Sequence, residues 1–286
     1  MVRLTVLGSG SSGNCAVVST GRTTLLIDAG LSAKQICVRL EAAGYSLEQI
    51  DGILLTHEHQ DHTNGLEVLS SRRTLPLYAT ALTRETLQGS LKFRKAPTWR
   101  MMTTGSAFDF QDLRIECFPV PHDAVDPIGF VIADEESRLG VLSDVGFVTN
   151  LIKDRLKGAD SLFVEANYDA QLLEADTKRP WATKQRISSR HGHLSNDQTA
   201  ELIESVAHNG LHHVVLGHLS DDCNDPDRAS KRVLESLHRA GIYDTQVVCA
   251  GRRCLTPTME VARRRVVISL STAIAPAPQM QQMAFF

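Results

Sequence analysis

The stretch LTHEHQDHTNGL, residues 55–66, places three imidazoles and two carboxylates within six consecutive positions. It directly follows an apolar run, so this polar cluster stands at the end of a predicted strand. Imidazole and carboxylate groups spaced i, i+2, i+4 and i+5 can converge on two nearby divalent ions where the chain turns tightly. A solvated polar loop is the alternative interpretation. One loop offers too few ligands for two ions, and we therefore expect further His or Asp ligands at other strand ends.

Three later apolar runs end in a residue of the required type. His122 follows FPVP, Asp144 follows GVLS and His218 follows VVLG. Taken singly, a strand-end histidine is commonly structural and an aspartate there is commonly a turn residue. Their joint occurrence favours a centre for two divalent ions, and ligation by nitrogen and oxygen fits Zn²⁺ or Mn²⁺.

The composition indicates an α/β protein. Of 286 residues 42% are apolar, and apolar runs alternate with glycine-containing turns and amphipathic stretches over residues 1–255. Many strands followed by helices, in two halves, predict two sheets sandwiched between helices in one catalytic domain. From about Thr256 the pattern weakens, so residues 256–286 are expected to form a C-terminal tail, loosely held or disordered. Within that tail, VVISLSTAI is compatible with an edge strand or a partner contact.

Charge and cysteine content limit the partners and the cellular compartment that we expect for the protein. A formal net charge of −3 argues against coating nucleic acid by bulk charge, although a local basic face is compatible with it. Six scattered cysteines without a CxxC pair indicate reduced thiols. No apolar run approaches the roughly 20 residues of a membrane span, and the N-terminus lacks a signal peptide. We expect a cytoplasmic protein without a membrane partner.

Two segments are candidates for substrate binding. GSGSSGNC, residues 8–15, contains Ser11, Ser12 and Asn14 and would let backbone N–H groups approach a phosphate, although a turn joining two strands explains it equally well. KRPWATKQRISSR, residues 178–190, contains Lys184 and Arg186 among five cations, with Trp181. Such a segment suits a phosphate backbone and a stacked base, or else is a solvated loop whose Trp packs on the body.

Glu165, in LFVEAN, and His193, in RHGHLSND, form a candidate acid pair. A histidine that lies near the metals and is oriented by a carboxylate could protonate the leaving oxygen of a phosphodiester. The arrangement resembles that of tRNA 3′-processing enzymes. His193 could instead be a helix-entry residue, and neighbouring His191 has the weaker claim.

The motif HxHxDH at residues 57–62, with the three later ligands, resembles the metallo-β-lactamase superfamily. That resemblance implies an αββα sandwich over about residues 1–255, with a dinuclear site in which a hydroxide bridges the two ions. One ion would be held by His57, His59 and His122, the other by Asp61, His62 and His218, with Asp144 bridging. Asp61, Glu165 and His193 are the expected catalytic residues.

The ordered motifs GSGSSGN, THEHQDH, PHDAVDPIGF, LSDVG, VEANYD, RISSRHGHLSN and GHLSDDCNDPDRA resemble the YycJ (WalJ) group of that superfamily. The resemblance implies a metal-dependent nuclease, a 5′ to 3′ exonuclease on DNA linked to mismatch repair. Gln60, Asp222 and Cys223 depart from the group's pattern, and none of them is an expected ligand. Three alternatives stay open: an RNA-processing nuclease, a hydrolase of lactones or thioesters, and a metal-stabilised binding protein without catalysis.

Overall fold

In the computed structural model, which describes residues 1–262, the apolar runs of the sequence form two seven-stranded sheets. The first sheet has the order β14-β1-β2-β3-β4-β5-β6. Its strands are β1 Arg3–Gly8, β2 Cys15–Ser19, β3 Thr24–Ile27, β4 Gly52–Leu54, β5 Pro76–Ala79, β6 Thr98–Met101 and β14 Met259–Glu260. The strands from β14 to β3 pair antiparallel, and those from β3 to β6 pair parallel.

The second sheet has the order β13-β12-β11-β10-β9-β8-β7. Its strands are β7 Ala107–Phe110, β8 Leu113–Pro119, β9 Ile128–Ala133, β10 Arg138–Leu142, β11 Ser161–Glu165, β12 His213–Gly217 and β13 Gln246–Cys249. The strands from β10 to β13 are parallel, whereas β7 to β10 are antiparallel. Both sheets are therefore mixed.

The described part of the chain also forms nine α-helices. They are α1 Ala33–Ala42, α2 Gln60–Thr63, α3 Leu66–Arg72, α4 Ala81–Ser90, α5 Asn150–Leu156, α6 Ala170–Ala175, α7 Trp181–Ile187, α8 Asn196–Val206 and α9 Pro226–Arg239. Within residues 1–262, none of these helices combines the length and the apolar character that crossing a membrane requires.

Three layers of buried apolar side chains hold the sheets and helices together. The middle layer joins the two sheets and includes Val6, Phe130 and Val215. A second layer packs α1, α3 and α4 on the first sheet through residues such as Ile36, and a third packs α5, α8 and α9 on the second sheet through residues such as Val233. Because apolar burial contributes about 25 cal/mol per Å², these layers dominate the stability of the fold. The expected αββα sandwich is confirmed.

Two expectations concern the ends and turns of this fold. Strand β14 lies beyond the expected domain boundary and pairs with β1, with Leu4 opposite Met259. Residues 263–286 of the tail, which include the stretch VVISLSTAI, lie outside the described residues, so the boundary near residue 255 stays a prediction. The basic segment at residues 178–190 contains helix α7, and Trp181 is 69% exposed. The interpretation in which this Trp packs on the body is therefore wrong.

Candidate active site

The histidine-rich loop follows β4 and is folded back by its own hydrogen bonds. The backbone N–H of His62 donates to the carbonyl of His59 over 2.9 Å, and the hydroxyl of Thr63 donates to the same carbonyl over 2.9 Å. Helix α2 is thus a single turn, which contains Asp61 and His62 and directly follows His57 and His59. The end of β4 lies beside the carboxyl ends of other parallel strands, where ligand sites of α/β proteins commonly form.

Two groups of ligand atoms meet at this edge of the sandwich. Within each group, the candidate donor atoms all lie within 4.8 Å of one another. One group is formed by His57, His59, His122 and Asp144. The other is formed by Asp61, His62, Asp144 and His218. The seven ligand positions expected from the sequence therefore come together, and Asp144 belongs to both groups.

His57 provides a direct test of whether these residues fit a metal ion. Its imidazole is 1% exposed, and its Nε2 has no hydrogen-bond partner among the described residues. A buried nitrogen without a partner costs free energy unless a ligand satisfies it. Burial, reinforced by the neighbouring His62, lowers the pKa of His57 well below its usual value, which favours the neutral imidazole that binds metals. This donor set fits a divalent cation.

Several of the histidines are fixed by hydrogen bonds on the side away from the metal donors. The Nδ1 of His62 lies 2.7 Å from Oδ2 of Asp28, and the Nδ1 of His122 lies 3.0 Å from the carbonyl of Gly192. Each contact leaves Nε2 facing the ligand groups. Such contacts orient metal-binding imidazoles and set their tautomers.

His218 is held in a similar way from the opposite sheet. Its backbone N–H donates to the hydroxyl of Ser9, and the amide of Asn167 donates to its carbonyl over 2.8 Å. The same amide lies 3.1 Å from Nδ1, and the Nε2 of His218 lies 3.2 Å from Oδ2 of Asp61. His218 therefore directs Nε2 toward the second ligand group.

Charge is concentrated at Asp144, which is buried. Burial by itself would raise the pKa of this carboxyl, but His218 and His62 hold it well below its usual range. The converse holds for His62, where burial would lower the pKa but Asp144 and Asp28 raise it well above the usual value. Asp144 is thus a carboxylate placed between the two ligand groups, as a bridging ligand requires.

His193 and Glu165 lie beside these ligands. The Nδ1 of His193 is 3.0 Å from Oε1 of Glu165, a carboxylate that also accepts hydrogen bonds from the backbone N–H groups of Val145 and Leu194. Burial would lower the pKa of His193, but Glu165 raises it to about 9. Glu165 and His193 also form a third group of close donor atoms with Asp144 and His218, and three hydrogen bonds already hold the carboxylate of Glu165.

The backbone around His193 explains why this pair is rigid. Two residues later Ser195 caps helix α8: its hydroxyl accepts a hydrogen bond from the backbone N–H of Gln198, and its own backbone N–H donates to Oε1 of Gln198. The backbone N–H of His193 donates to the carbonyl of Ile187 at the end of α7. His193 is therefore anchored at the junction of two helices.

A cavity of about 240 Å³ opens over the ligand groups. Besides the metal ligands, its walls are formed by Ser11, Asn167, Arg179, Thr183, Arg186, Ile187, His193 and Ser220. Two guanidinium groups thus share this space with the candidate acid and the ligands. Arg186 also donates to Asp123 over 2.6 Å.

Of the residues expected to bind substrate, some line a cavity at the site and others do not. Ser11 and Arg186 line the cavity, and Ser12 lines an adjoining cavity that also contacts Asp61. Asn14 is buried, with its amide nitrogen 3.1 Å from Nε2 of His62. Lys184 donates to the carbonyl of Glu174 and does not line the cavity.

Two residues of the site were missed by reasoning from the sequence, and a third, Arg179, was recognised only as one of the five cations of the basic segment. Asp28 ends the LLID strand and supports His62, Asn167 follows Glu165 and supports His218, and Arg179 lines the cavity. Asp28 could have been identified from the sequence, because it is a carboxylate at the end of an apolar strand, the same position that identified Asp144. Nothing in the local sequence distinguishes Arg179 from the four other cations of its segment.

Comparisons with known proteins agree with this geometry. A family model for the β-lactamase superfamily domain matches residues 23–219. Exodeoxyribonuclease YycJ of Bacillus anthracis is 33% identical over 240 residues, which cover 84% of this chain and 90% of that protein. Exodeoxyribonuclease WalJ of Streptococcus pneumoniae is 33% identical over 264 residues, which cover 91% of this chain and 98% of that protein.

A solved structure shows the same fold. The metallo-β-lactamase fold protein YhfI from Bacillus subtilis superimposes with a TM-score of 0.67 at 18% identity, covering 90% of this chain and 99% of that one. The matched domain, the two full-length relatives and the clustered ligands agree with one another. The chain is a hydrolase of the metallo-β-lactamase superfamily and belongs to its YycJ and WalJ group.

Proposed function

We propose that this protein is a metal-dependent phosphodiesterase of nucleic acid, a 5′ to 3′ exonuclease acting on DNA ahead of RNA. The observation that carries the proposal is the His193–Glu165 pair, 3.0 Å apart beside the two ligand groups. The relatives named exodeoxyribonucleases support DNA as the substrate. The polarity and a role in DNA repair rest on the resemblance to the same group.

The ligand residues form the binding part of this mechanism. His57, His59 and His122 would hold one divalent ion, Zn²⁺ or Mn²⁺, while Asp61, His62 and His218 would hold the other, with Asp144 shared. When bound, such ions lower the pKa of water to supply a nucleophile and neutralise charge on the phosphoryl oxygens. Asp61, 23% exposed at its side chain, is the ligand most open to the cavity among those of the second group.

His193 performs the proton transfer in this proposal. Its pKa of about 9 keeps the imidazole protonated at neutral pH, with Glu165 holding Nδ1. The Nε2 proton can then be donated to the leaving-group oxygen as its bond to phosphorus breaks. Without this proton the oxygen would depart as an alkoxide, which is a poor leaving group. A hydrolase of lactones or thioesters has less need of such an acid.

Two arginines in the cavity supply positive charge that can bind the phosphate oxygens of the substrate. Arg179 and Arg186 line the cavity, and a guanidinium donates to phosphate oxygens in a fixed, planar arrangement. Arg186 is engaged with Asp123, so a bound phosphate would compete with that carboxylate. Neutral lactones would gain little from either residue.

The first test measures cleavage of 5′-phosphorylated DNA, single-stranded and double-stranded, and of RNA, with Mn²⁺ or Zn²⁺ added. Progressive shortening of DNA that is lost in Asp61→Ala is the expected result. Bound metal without cleavage of any nucleic acid would reject the proposal and direct attention to lactones and thioesters. Faster cleavage of RNA would select the RNA-processing alternative.

The second test isolates the role of His193. His193→Ala should lose about 100-fold or more in cleavage of DNA, the usual contribution of a general acid. It should lose far less with bis(p-nitrophenyl) phosphate, because nitrophenolate leaves without a proton. His191→Ala is the matched control, since His191 is exposed and does not line the cavity. Equal losses on both substrates would exclude proton donation.

A further inference from the structure

A second cavity adjoins the active site at Ser220, which lines both. Its volume is about 630 Å³, and it lies between the loop at residues 219–221 and the segment at residues 249–254 that follows β13. The start of helix α9 contributes Pro226 to its wall. Because none of the metal ligands lines it, this cavity would hold a part of the substrate other than the scissile phosphate.

The segment after β13 is held rigidly by its backbone. The N–H of Ala250 donates to the carbonyl of Leu216 over 2.8 Å, which extends the pairing of β12 and β13. The guanidinium of Arg39 donates to the carbonyl of Arg252 over 2.9 Å and to the carbonyl of Leu7 over 2.7 Å. Both sheets therefore fix this segment.

Two arginine side chains are presented from this fixed backbone. Arg252 pairs with the exposed carboxylate of Asp221, and Arg253 is exposed and makes no ion pair with any of residues 1–262. Among the described residues that line the cavity, Asp221 is the one acid beside the two arginines, while Asp225 and Asp227 flank the wall at Pro226 and lie near Cys249. Arg252 can exchange its exposed partner for another anion at small cost, as exposed ion pairs contribute little.

The groove on the other side of the active site differs in charge. That cavity, of about 340 Å³, adjoins the active site at Ser11 and Asp61. Its remaining lining residues are Ser12, Gly30, Gln60 and Asn64, none of which is cationic. Of these two adjoining cavities, the one lined by Arg252 and Arg253 is the one that offers cations to a run of phosphates.

We propose that Arg252 and Arg253 form a binding site for the sugar-phosphate backbone of a single strand, beyond the nucleotide whose phosphodiester is cleaved. This inference rests on the proposed nuclease function. The strand would pass from the metal ligands over Ser220 into the second cavity, with one phosphate replacing Asp221 at Arg252 and the next at Arg253. The protein would therefore prefer strands of several nucleotides to dinucleotides.

The test measures binding of fluorescein-labelled single-stranded DNA, 3 and 12 nucleotides long, by anisotropy at several salt concentrations. Arg252→Gln/Arg253→Gln should weaken binding of the 12-mer about 10-fold and that of the 3-mer much less. The slope of log affinity against log salt should fall by about 1.4 for the 12-mer, since each phosphate contact of a single strand contributes about 0.7. Arg114→Gln is the control, since this exposed arginine pairs with Asp109 on the β7–β8 hairpin.

Arg253→Gln alone protects the test against misfolding, because this side chain makes no ion pair within residues 1–262 that the substitution would break. Equal weakening of both oligonucleotides, or none with either variant, would overturn the inference, as would wild-type protein that binds no 12-mer. A wild-type protein that binds the 12-mer through these arginines but cleaves no nucleic acid would retain the inference as a binding site. That outcome would count against the proposed function alone.

Discussion

The Nδ1 of His62 lies 2.7 Å from Oδ2 of Asp28, and this carboxylate is 2% exposed and belongs to neither ligand group. Asp28 also accepts hydrogen bonds from the backbone N–H and the hydroxyl of Thr56. Because Thr56 precedes His57, one carboxylate supports the start of the histidine loop and the orientation of His62. Carboxylates in such positions set the tautomer and basicity of a metal-binding imidazole.

Asp28→Asn should lower metal affinity about 10- to 100-fold, the usual effect of removing a supporting carboxylate. The amide can still accept the bond from Thr56 N–H, but it no longer offers a charged acceptor to His62. Chelator competition with Zn²⁺ measures the change. Asp51→Asn is the control, since Asp51 likewise accepts a backbone N–H, from Thr24, away from the ligands. Similar metal affinity in both variants would show that Asp28 is not needed to orient His62.

Gly30 sets the position of the ligand loop by close contact. A Cβ at Gly30 would lie 1.6 Å from the carbonyl oxygen of Asp61, so any side chain must displace the backbone of a ligand. Gly30→Ala should destabilise the fold by about 1–3 kcal/mol, the usual cost of overpacking, and reduce metal binding. Gly21→Ala is the matched control, because no atom lies within 4 Å of a Cβ there. Urea unfolding and metal analysis measure both effects, and an unchanged Gly30→Ala protein would contradict the argument.

The ligand positions could be predicted because each metal-binding residue type stands at the end of an apolar strand, and strands that run in the same direction bring such ends to one edge of the sandwich. The supports at Asp28 and Asn167 depend on contacts between residues distant in sequence, which no local pattern records. Asn14 is the opposite case, in which the sequence predicted a role that contacts between distant residues change. The motif indicated a substrate contact, but the folded loop buries its amide against His62 and Asp61. Helix α7 was missed because its short basic sequence lacks an apolar period.

The pH dependence of cleavage should report the His193–Glu165 pair. Glu165 raises the pKa of His193 from 6.5 to about 9 against the lowering effect of burial. The protonated acid is therefore present at neutral pH and is lost as the pH rises through that pKa. The contribution of this pair to folding stability has the same sign: it is complete below about pH 6.5 and disappears as the pH rises toward about 9.

Glu165→Gln should move the alkaline fall in DNA cleavage to lower pH, because the charge that stabilises the imidazolium is removed. The profile for bis(p-nitrophenyl) phosphate, which needs no acid, should show no such displacement. Unfolding midpoints measured across the same pH range identify any loss of folding stability that results from altered hydrogen bonds to the backbone N–H groups of Val145 and Leu194. If the alkaline fall in DNA cleavage occurs at the same pH in Glu165→Gln as in the wild type, His193 is not the general acid.

Metal removal should lower stability because the ligand groups crowd polar atoms that only a cation can satisfy together. The rings of His57 and His62 lie 4.1 Å apart, and Nε2 of His57 has no partner within the described part of the chain. At a metal concentration 100 times the Kd, binding contributes about 2.7 kcal/mol. For a domain of this size that corresponds to a fall in Tm of roughly 5–10 °C on chelation. Calorimetry with and without EDTA measures the change, and Asp61→Ala/His218→Ala should show a smaller response because its second ligand group is incomplete. An unchanged Tm after complete removal of metal would mean that the apo ligands satisfy one another, and the unpaired His57 nitrogen would then have to find a different partner.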